Sequence, residues 1–321
     1  MTEDKKRTAR LSLTLFALVL GGVVLYAFRD SKTESQYFSH QGFVFGTYYN
    51  IRYEADSCLE EPILLRLKEF DASLSTFNPH STISVLNQGR DTIWDEYFSE
   101  MYETAQEINL LSNGAFDITV APLVNAWGFG FTNRESITPE LIDSLRGVKT
   151  ILDASAIAKG QACDVVAALL KEKGSENYLV DIGGEVVLHG LNAQGEPWRV
   201  GITKPVDDTT GEKSEIQEVI SSTDLCMATS GNYRQFYYED GVRRSHTIDP
   251  RTGYPVNHNL LSATVVAPSC MRADALATAC MVLGVDSAYD LIESLPETEC
   301  YLIYATETDS LAIRRSKNFP R

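Results

Sequence analysis

No two of the six cysteines stand in a C-x-x-C spacing, which argues against a cysteine-rich zinc site. Cys58, Cys163, Cys226, Cys270, Cys280 and Cys300 are scattered, and Cys163 and Cys280 fall in apolar helical stretches where cysteine serves as a small hydrophobe. Basic residues are also scarce: 28 Lys and Arg stand against 44 Asp and Glu, for a formal charge of −16. Such a body does not suit nonspecific nucleic-acid binding, which needs cations to neutralise phosphates. A phosphate-bearing ligand would need a local counter-charge, and a divalent metal would supply one. Several familiar sites are missing too. The chain has no G-x-x-x-x-G-K-[ST] phosphate loop, no G-x-S-x-G elbow and no H-E-x-x-H. Gly128-Phe129-Gly130 lacks the third glycine and the preceding strand of a dinucleotide fingerprint. There are no internal repeats and no low-complexity tracts.

The N-terminus reads as a targeting segment. Lys5, Lys6, Arg7 and Arg10 precede an apolar run from Leu11 to Phe28, long enough to reach the lower end of a spanning helix. Residues 1–10 are then a cytoplasmic basic N-terminus, 11–28 a transmembrane signal-anchor and 29–40 a polar linker. A cleaved signal peptide and a buried core helix are the other readings of the same run. The body, 41–321, is expected to lie on the extracytoplasmic side, a setting that permits disulfides.

An apolar content of 44% suffices for one large core. Alternation and aromatics predict a strand over Gln41 to Glu54, and helical spacing predicts a helix over Leu59 to Phe70. Ser75 to Gln88 reads as loop-rich, Phe98 to Leu111 as a helix ended by Asn113-Gly114, and Leu141 to Leu145 as a short helix. Gly160 to Lys171 is a predicted helix, Tyr178 to Val180 a strand, and Gly183-Gly184 a tight turn. Strands are expected at Trp198 to Thr203, Ile216 to Ser221, Tyr233 to Tyr238 and Ala263 to Ala267. An apolar helix follows over Arg272 to Leu283, and Cys300 to Ala305 with Ser310 to Arg314 form a closing hairpin. The intermixing lacks a regular βαβ period, so the fold class is α+β.

Four polar clusters interrupt apolar surroundings. In Asn113 to Thr119, Asp117 follows a helix-ending glycine and either meets a ligand or caps the next helix. In Leu152 to Gly160, a carboxylate, Asp153, and a lysine, Lys159, flank a helix start suited to phosphate and metal; a local ion pair between the two is the plainer alternative. A third cluster joins Ala228 to Tyr233 with Ser245 to Pro255, where His246 precedes a rigid turn. In the fourth, Asp274 and Thr278 stand four apart on one helical face, and both offer hard oxygens suited to Mg²⁺. Alternatively Asp274 caps the helix and Thr278 bonds back to it.

Taken in order, these clusters resemble the ApbE family of FAD:protein FMN transferases. The resemblance covers about residues 41–305 and rests on Gly46-Thr47-Tyr48, Ser75-Thr76-Phe77, Ser81 to Asn87, Gly114 to Thr119 with Pro122-Leu123, and Asp153 to Gly160 with Asp164. It continues through Asp181 to Gly184, Ser230 to Tyr233, His246 to Pro255, and Ala273-Asp274 to Thr278. It implies a single ApbE-like (T-fold-like) body with FAD in a cleft and Mg²⁺ beside its pyrophosphate. It further implies FAD contacts at Phe45, Phe77, Ala115, Phe116, Asp117, Asp153, Lys159 and Ile248, and Mg²⁺ on the Ala156 carbonyl, Asp274 and Thr278. There are departures: Phe45 stands where methionine is frequent, Ser245 where a second histidine is frequent, and Ala277 where some members carry another carboxylate.

The implied reaction breaks the FAD pyrophosphate, places the flavin phosphate on an acceptor threonine and releases AMP. Lys159 and Mg²⁺ would stabilise the developing charge. His246 is the expected general base, with Asp249 as its competitor. The implied acceptor carries a Ser/Thr-Gly-Ala-Ser/Thr type motif and is expected to be a membrane or exported electron-transfer subunit. An FAD pyrophosphatase and a noncatalytic flavin-binding protein are the alternative functions.

Overall fold

The alternating, aromatic stretch after the N-terminal segment folds as two strands rather than one, β1 (Gln36–Val44) and β2 (Thr47–Ala55). The break is the two-residue turn Phe45-Gly46, with φ of +52° and +74°, the sign pattern of a type I′ hairpin turn. The structure, a computed structural model, describes residues 36–130, 134–205, 215–232, 236–239, 242–308 and 310–320. The apolar run Leu11 to Phe28 lies outside the described residues. Among those described, no helix is long and apolar enough to cross a membrane. β1 begins at Gln36, so the last part of the stretch read as linker is strand.

Helix α1 (Glu60–Leu74) buries Ile63, Leu67, Phe70 and Leu74 at helical spacing. The stretch read as loop-rich contains a short helix, α2 (Thr82–Asn87), whose start is fixed by Ser81: its hydroxyl accepts the Ser84 N–H. Helix α3 (Glu96–Leu111) is capped by Asp95. Two further helices, α4 (Ala121–Ala126) and α5 (Pro139–Arg146), each carry proline in the first turn, where it costs no hydrogen bond.

Helix α6 (Ala158–Glu172) leads into β3 (Tyr178–Ile182), the turn at Gly183-Gly184, and β4 (Glu185–His189). A side hairpin follows, β5 (Trp198–Thr203) with β6 (Ile216–Ser222), and then β7 (Asp224–Gly231). Short pairs β8 (Phe236–Glu239) with β9 (Val242–Ser245), and β10 (Ile248–Asp249) with β11 (Tyr254–Pro255), precede β12 (Leu260–Val266). Of the predicted strand Tyr233 to Tyr238, residues 233–235 lie outside the described residues. Helices α7 (Cys270–Leu283) and α8 (Val285–Glu293) and the antiparallel hairpin β13 (Glu299–Ala305)–β14 (Leu311–Arg315) complete the chain.

Eight strands form one sheet in the order β1-β2-β3-β4-β7-β12-β13-β14, antiparallel at every pair from β2 onward. The α+β class is therefore observed. Both faces of the sheet are covered. Ile51, Val180, Val187, Ala228, Val265 and Leu302 point into the core shared with α6 and α7. Leu179, Val186, Leu188, Met227 and Tyr301 point to the opposite face, where they pack with Trp198, Ile202 and Ile220 of the side hairpin. β4 and β7 are apolar on both faces for this reason, so they lack the alternation that marks a half-exposed strand.

Helix α7 packs against β7, β12, α6, α3 and α8, and is buried nearly all round. Its approach to α6 depends on Gly160: a Cβ there would lie 2.2 Å from the Cys270 carbonyl oxygen. Asp164, one turn further along α6, accepts the Cys270 and Met271 N–H groups at 2.9 and 2.8 Å. A neighbouring helix thus satisfies donors that every helix start leaves open.

Candidate active site

A cleft of about 740 Å³ opens beside the N-terminus of α6, within the range of small-molecule sites. It is walled by the 115–118 loop, α4, the 151–156 loop, the end of β7, the His246–Ile248 segment and α7. Ala115, Phe116, Asp117, Asp153, Ala156, Lys159, His246, Ile248, Asp274 and Thr278 all line it. Ten residues picked from four separate stretches of sequence therefore converge on one cavity.

Three do not line it. Phe45 occupies the β1–β2 turn and packs on the core, its ring centroid 5.6 Å from that of Phe70. Phe77 is exposed, next to Thr76, which does line the cleft. Asp249 grips Arg251 through two charge-assisted bonds, at 2.9 Å to Nε and 2.8 Å to Nη2, and also accepts the Arg251 N–H. It orders the turn and leaves His246 as the imidazole that faces the cavity.

The open alternatives for the carboxylates are decided by their contacts. Asp117 is no helix cap: Oδ1 accepts the N–H and hydroxyl of Thr119, and Oδ2 takes Lys149 Nζ at 2.8 Å. Burial pushes its carboxyl up, but the hydrogen bonds from Lys149 and Thr119 outweigh that and hold it below the ordinary value. Lys149 carried no signal in the sequence beyond a lone cation in a loop. Asp153 Oδ1 accepts the Ser155 N–H at 2.8 Å, within the loop that brings Ala156 to the cleft. Among the described residues Lys159 pairs not with Asp153 but with Glu185, at 2.6 Å, and with Asp274, at 4.0 Å. Ser269 caps α7, so Asp274 is free of that duty; its Oδ2 instead accepts the Gly160 N–H at 3.0 Å. Thr278 Oγ1 meets Ser230 Oγ at 3.3 Å.

Glu185 is the residue that the sequence reading missed. It starts β4, on the same face as Val187, and so projects toward α6 and α7. It is 2% exposed, and its second oxygen, Oε2, has no hydrogen-bond partner among the described residues. Burial pushes its carboxyl up to about 8, against the pull of Lys159 and helped by the Asp274 charge. Burial raises Asp274 as well, partly offset by Lys159 and the Gly160 N–H. For Lys159, burial works against the ammonium, but Asp274 and Glu185 prevail and hold it charged above the ordinary lysine value.

Two buried carboxylates thus share one ammonium, and one carboxylate oxygen has no partner among the described residues. At neutral pH Glu185 keeps its proton while only Lys159 offsets the pair, and a cation in this place would be bound as that proton leaves. The donors on offer are the Asp274 and Glu185 carboxylates, the Thr278 hydroxyl and the Ala156 carbonyl, all hard oxygens that suit Mg²⁺. The α6 N-terminus and Lys159 beside it favour an anion in the same cleft. The chemistry fits a metal-bridged phosphate, with apolar walls at Phe116, Val124, Phe129 and Met281 for a flat aromatic ligand.

Comparison with known proteins places the whole fold. The sequence model of the ApbE family matches residues 45–302. A Vibrio cholerae FAD:protein FMN transferase is 38% identical over 309 residues, covering 86% of this chain and 90% of that protein. A Haemophilus influenzae protein of the same name is 34% identical, covering 90% of this chain and 94% of its own. Among solved structures, the flavin transferase ApbE from Vibrio cholerae superposes with a TM-score of 0.78 at 37% identity, over 89% of this chain and 98% of that one. The apo form of the Pseudomonas stutzeri flavinyl transferase ApbE superposes with a TM-score of 0.77 at 29% identity, over 89% and 96% of the two chains.

Proposed function

The chain belongs to the ApbE family, and from that membership and the cleft we propose that it transfers FMN from FAD to a threonine of an acceptor protein. The observation that carries the reading is the buried cluster of Lys159, Glu185 and Asp274 at the α6 N-terminus, with one carboxylate oxygen left for a metal among the described residues.

In this reading the cleft binds FAD with its pyrophosphate at the α6 N-terminus. The acceptor hydroxyl oxygen bonds to the phosphorus on the flavin side, the bridging P–O bond breaks, and AMP leaves. His246 takes the hydroxyl proton, and Lys159 stabilises negative charge on the phosphate oxygens. Asp274, Glu185, Thr278 and the Ala156 carbonyl would hold Mg²⁺, which supplies further charge neutralisation on the pyrophosphate. The Gly160 N–H keeps Asp274 pointed inward. Phe116 and the other apolar walls exclude water, which favours the threonine over hydrolysis.

The acceptor is a separate protein with a Ser/Thr-Gly-Ala-Ser/Thr type motif, because this chain lacks that motif. The basic N-terminus and the Leu11 to Phe28 run support a membrane anchor with the body outside the cytoplasm, facing exported or membrane-bound electron-transfer subunits. Incubation of the protein with FAD, Mg²⁺ and an acceptor domain tests the reading: covalently flavinylated, fluorescent acceptor and AMP are expected. Free FMN with AMP would make it a pyrophosphatase instead, and intact FAD a carrier. Carbonate extraction of membranes tests the anchor, and a mature N-terminus between residues 25 and 40 would refute it.

A further inference from the structure

His, Cys, Asp and Glu ligand atoms gather in a group of three at one place among the described residues, and it belongs to none of the residues lining the cleft. His40 of β1, Cys58 of the loop after β2, and Glu60 at the start of α1 each offer one atom within 4.8 Å of the other two. His40 Nε2 lies 3.7 Å from Cys58 Sγ, and Nδ1 lies 3.5 Å from Glu60 Oε1. A tetrahedral ion with zinc-like bond lengths holds its ligand atoms roughly 3.3–3.7 Å apart; the Nδ1–Glu60 separation already falls in that range, while Cys58, now beside the other ring nitrogen, has to swing round to Nδ1.

The imidazole is also held in place from behind. Its ring stacks at 5.7 Å on Tyr53, a residue with no exposed surface, and its Nε2 lies 3.0 Å from the Tyr53 hydroxyl. That hydroxyl in turn accepts the Leu59 N–H at 2.7 Å, inside the loop that carries Cys58 and Glu60. With Nε2 committed to Tyr53, Nδ1 faces Glu60 as the available ligand atom. A ring nitrogen fixed by an oxygen while the other binds is the usual arrangement of a metal-bound histidine. Cys58 is exposed, so its thiol can turn toward the same point.

We propose that His40, Cys58 and Glu60 form a second metal site, for a soft-to-borderline divalent ion such as Zn²⁺, with water completing the shell. A thiolate, an imidazole and a carboxylate match Zn²⁺ and not Mg²⁺, which takes oxygen. The absence of C-x-x-C pairs does not bear on it, because the three ligands come from β1, a loop and a helix start. The ion would bind as the Cys58 thiol releases its proton to solvent, and would staple β1 to the β2–α1 loop. It takes no part in phosphoryl transfer.

The test is a Co²⁺ titration of the reduced, chelator-stripped full chain. One equivalent should give a thiolate-to-cobalt charge-transfer band that Zn²⁺ then bleaches. Cys58→Ser should lose the band while keeping its fold by circular dichroism and its Mg²⁺-dependent transfer activity. Glu60→Gln should weaken Zn²⁺ binding by tenfold or more, and Asp274→Asn should leave the band unchanged. A parent protein without the band, or a band that persists in Cys58→Ser, overturns the proposal.

Discussion

Asp274→Asn isolates the charge of one buried oxygen while leaving its shape. The amide oxygen can still accept the Gly160 N–H that Oδ2 accepts now at 3.0 Å. What disappears is one of two carboxylates shared by Lys159 and the proposed Mg²⁺. At the observed 4.0 Å to Lys159, and an effective dielectric of 20, one unit of charge is worth about 4 kcal/mol. A divalent ion in direct contact would feel more than this before its lost hydration is subtracted. Taking about 4 kcal/mol as the floor, turnover at fixed Mg²⁺ should fall by roughly 10³. Stability should move the other way. In the metal-free parent two buried carboxyl groups compete for one ammonium and burial raises both, whereas the variant leaves Glu185 alone with Lys159. It should therefore melt at or above the parent temperature without metal. Added Mg²⁺ should raise the parent melting temperature, by about 2.7 kcal/mol of stability at a hundredfold excess over Kd, and leave the variant unmoved. AMP release and a melting scan with and without EDTA measure both. A variant that keeps more than a tenth of the activity, or that gains stability from Mg²⁺ as the parent does, refutes the reasoning.

Three further outcomes are expected. His246→Ala should lower transfer by a factor of about 10²–10⁴ while FAD binding, read by flavin fluorescence, stays within a few-fold. Gly160→Ala places a Cβ 2.2 Å from the Cys270 carbonyl; it should cost about 1–3 kcal/mol by denaturant unfolding and lower activity, by pushing α6 from α7. Asp164 is held up to about 6 by burial, partly offset by the Met271 and Cys270 N–H groups. Its folded value exceeds its unfolded one, so the folded state holds the extra proton, and this group's contribution to stability falls as pH rises from about 4 to 6, by at most about 3 kcal/mol. Asp164→Asn should lose that slope, so the difference between variant and parent stability should change with pH over this window, and a parallel pair of curves would refute the assignment.

How much the sequence reveals depends on where each residue's signal resides. Residues in loops or at a helix start that break apolar stretches, such as Asp117, Asp153, Lys159 and His246, were legible because a polar residue there needs a reason, and all four line the cleft. Asp274 and Thr278 were legible from helical spacing. Glu185 was not, because β4 reads Glu-Val-Val-Leu-His with both faces buried and gives no alternation to mark it as a strand or to orient its first residue. The β1–β2 turn was hidden by Phe45, since positive φ at a phenylalanine is seldom written into a turn. The ring of that phenylalanine packs beside Phe70. Helix α2 escaped because Asn78-Pro79 looks like a loop, and only the Ser81 hydroxyl on the Ser84 N–H marks the start of a helical turn beyond it.

The hydrogen bond from Gly160 to Asp274 joins residues 114 positions apart. The order of chain emergence therefore decides when the protein acquires its chemistry. A growing chain presents Lys159 and Glu185 long before α7 exists, and without α7 the cluster lacks Asp274 and Thr278. The incomplete polypeptide has no finished cleft. Only after almost nine-tenths of the chain has been made, through Thr278 of 321 residues, can the two helices close around Gly160.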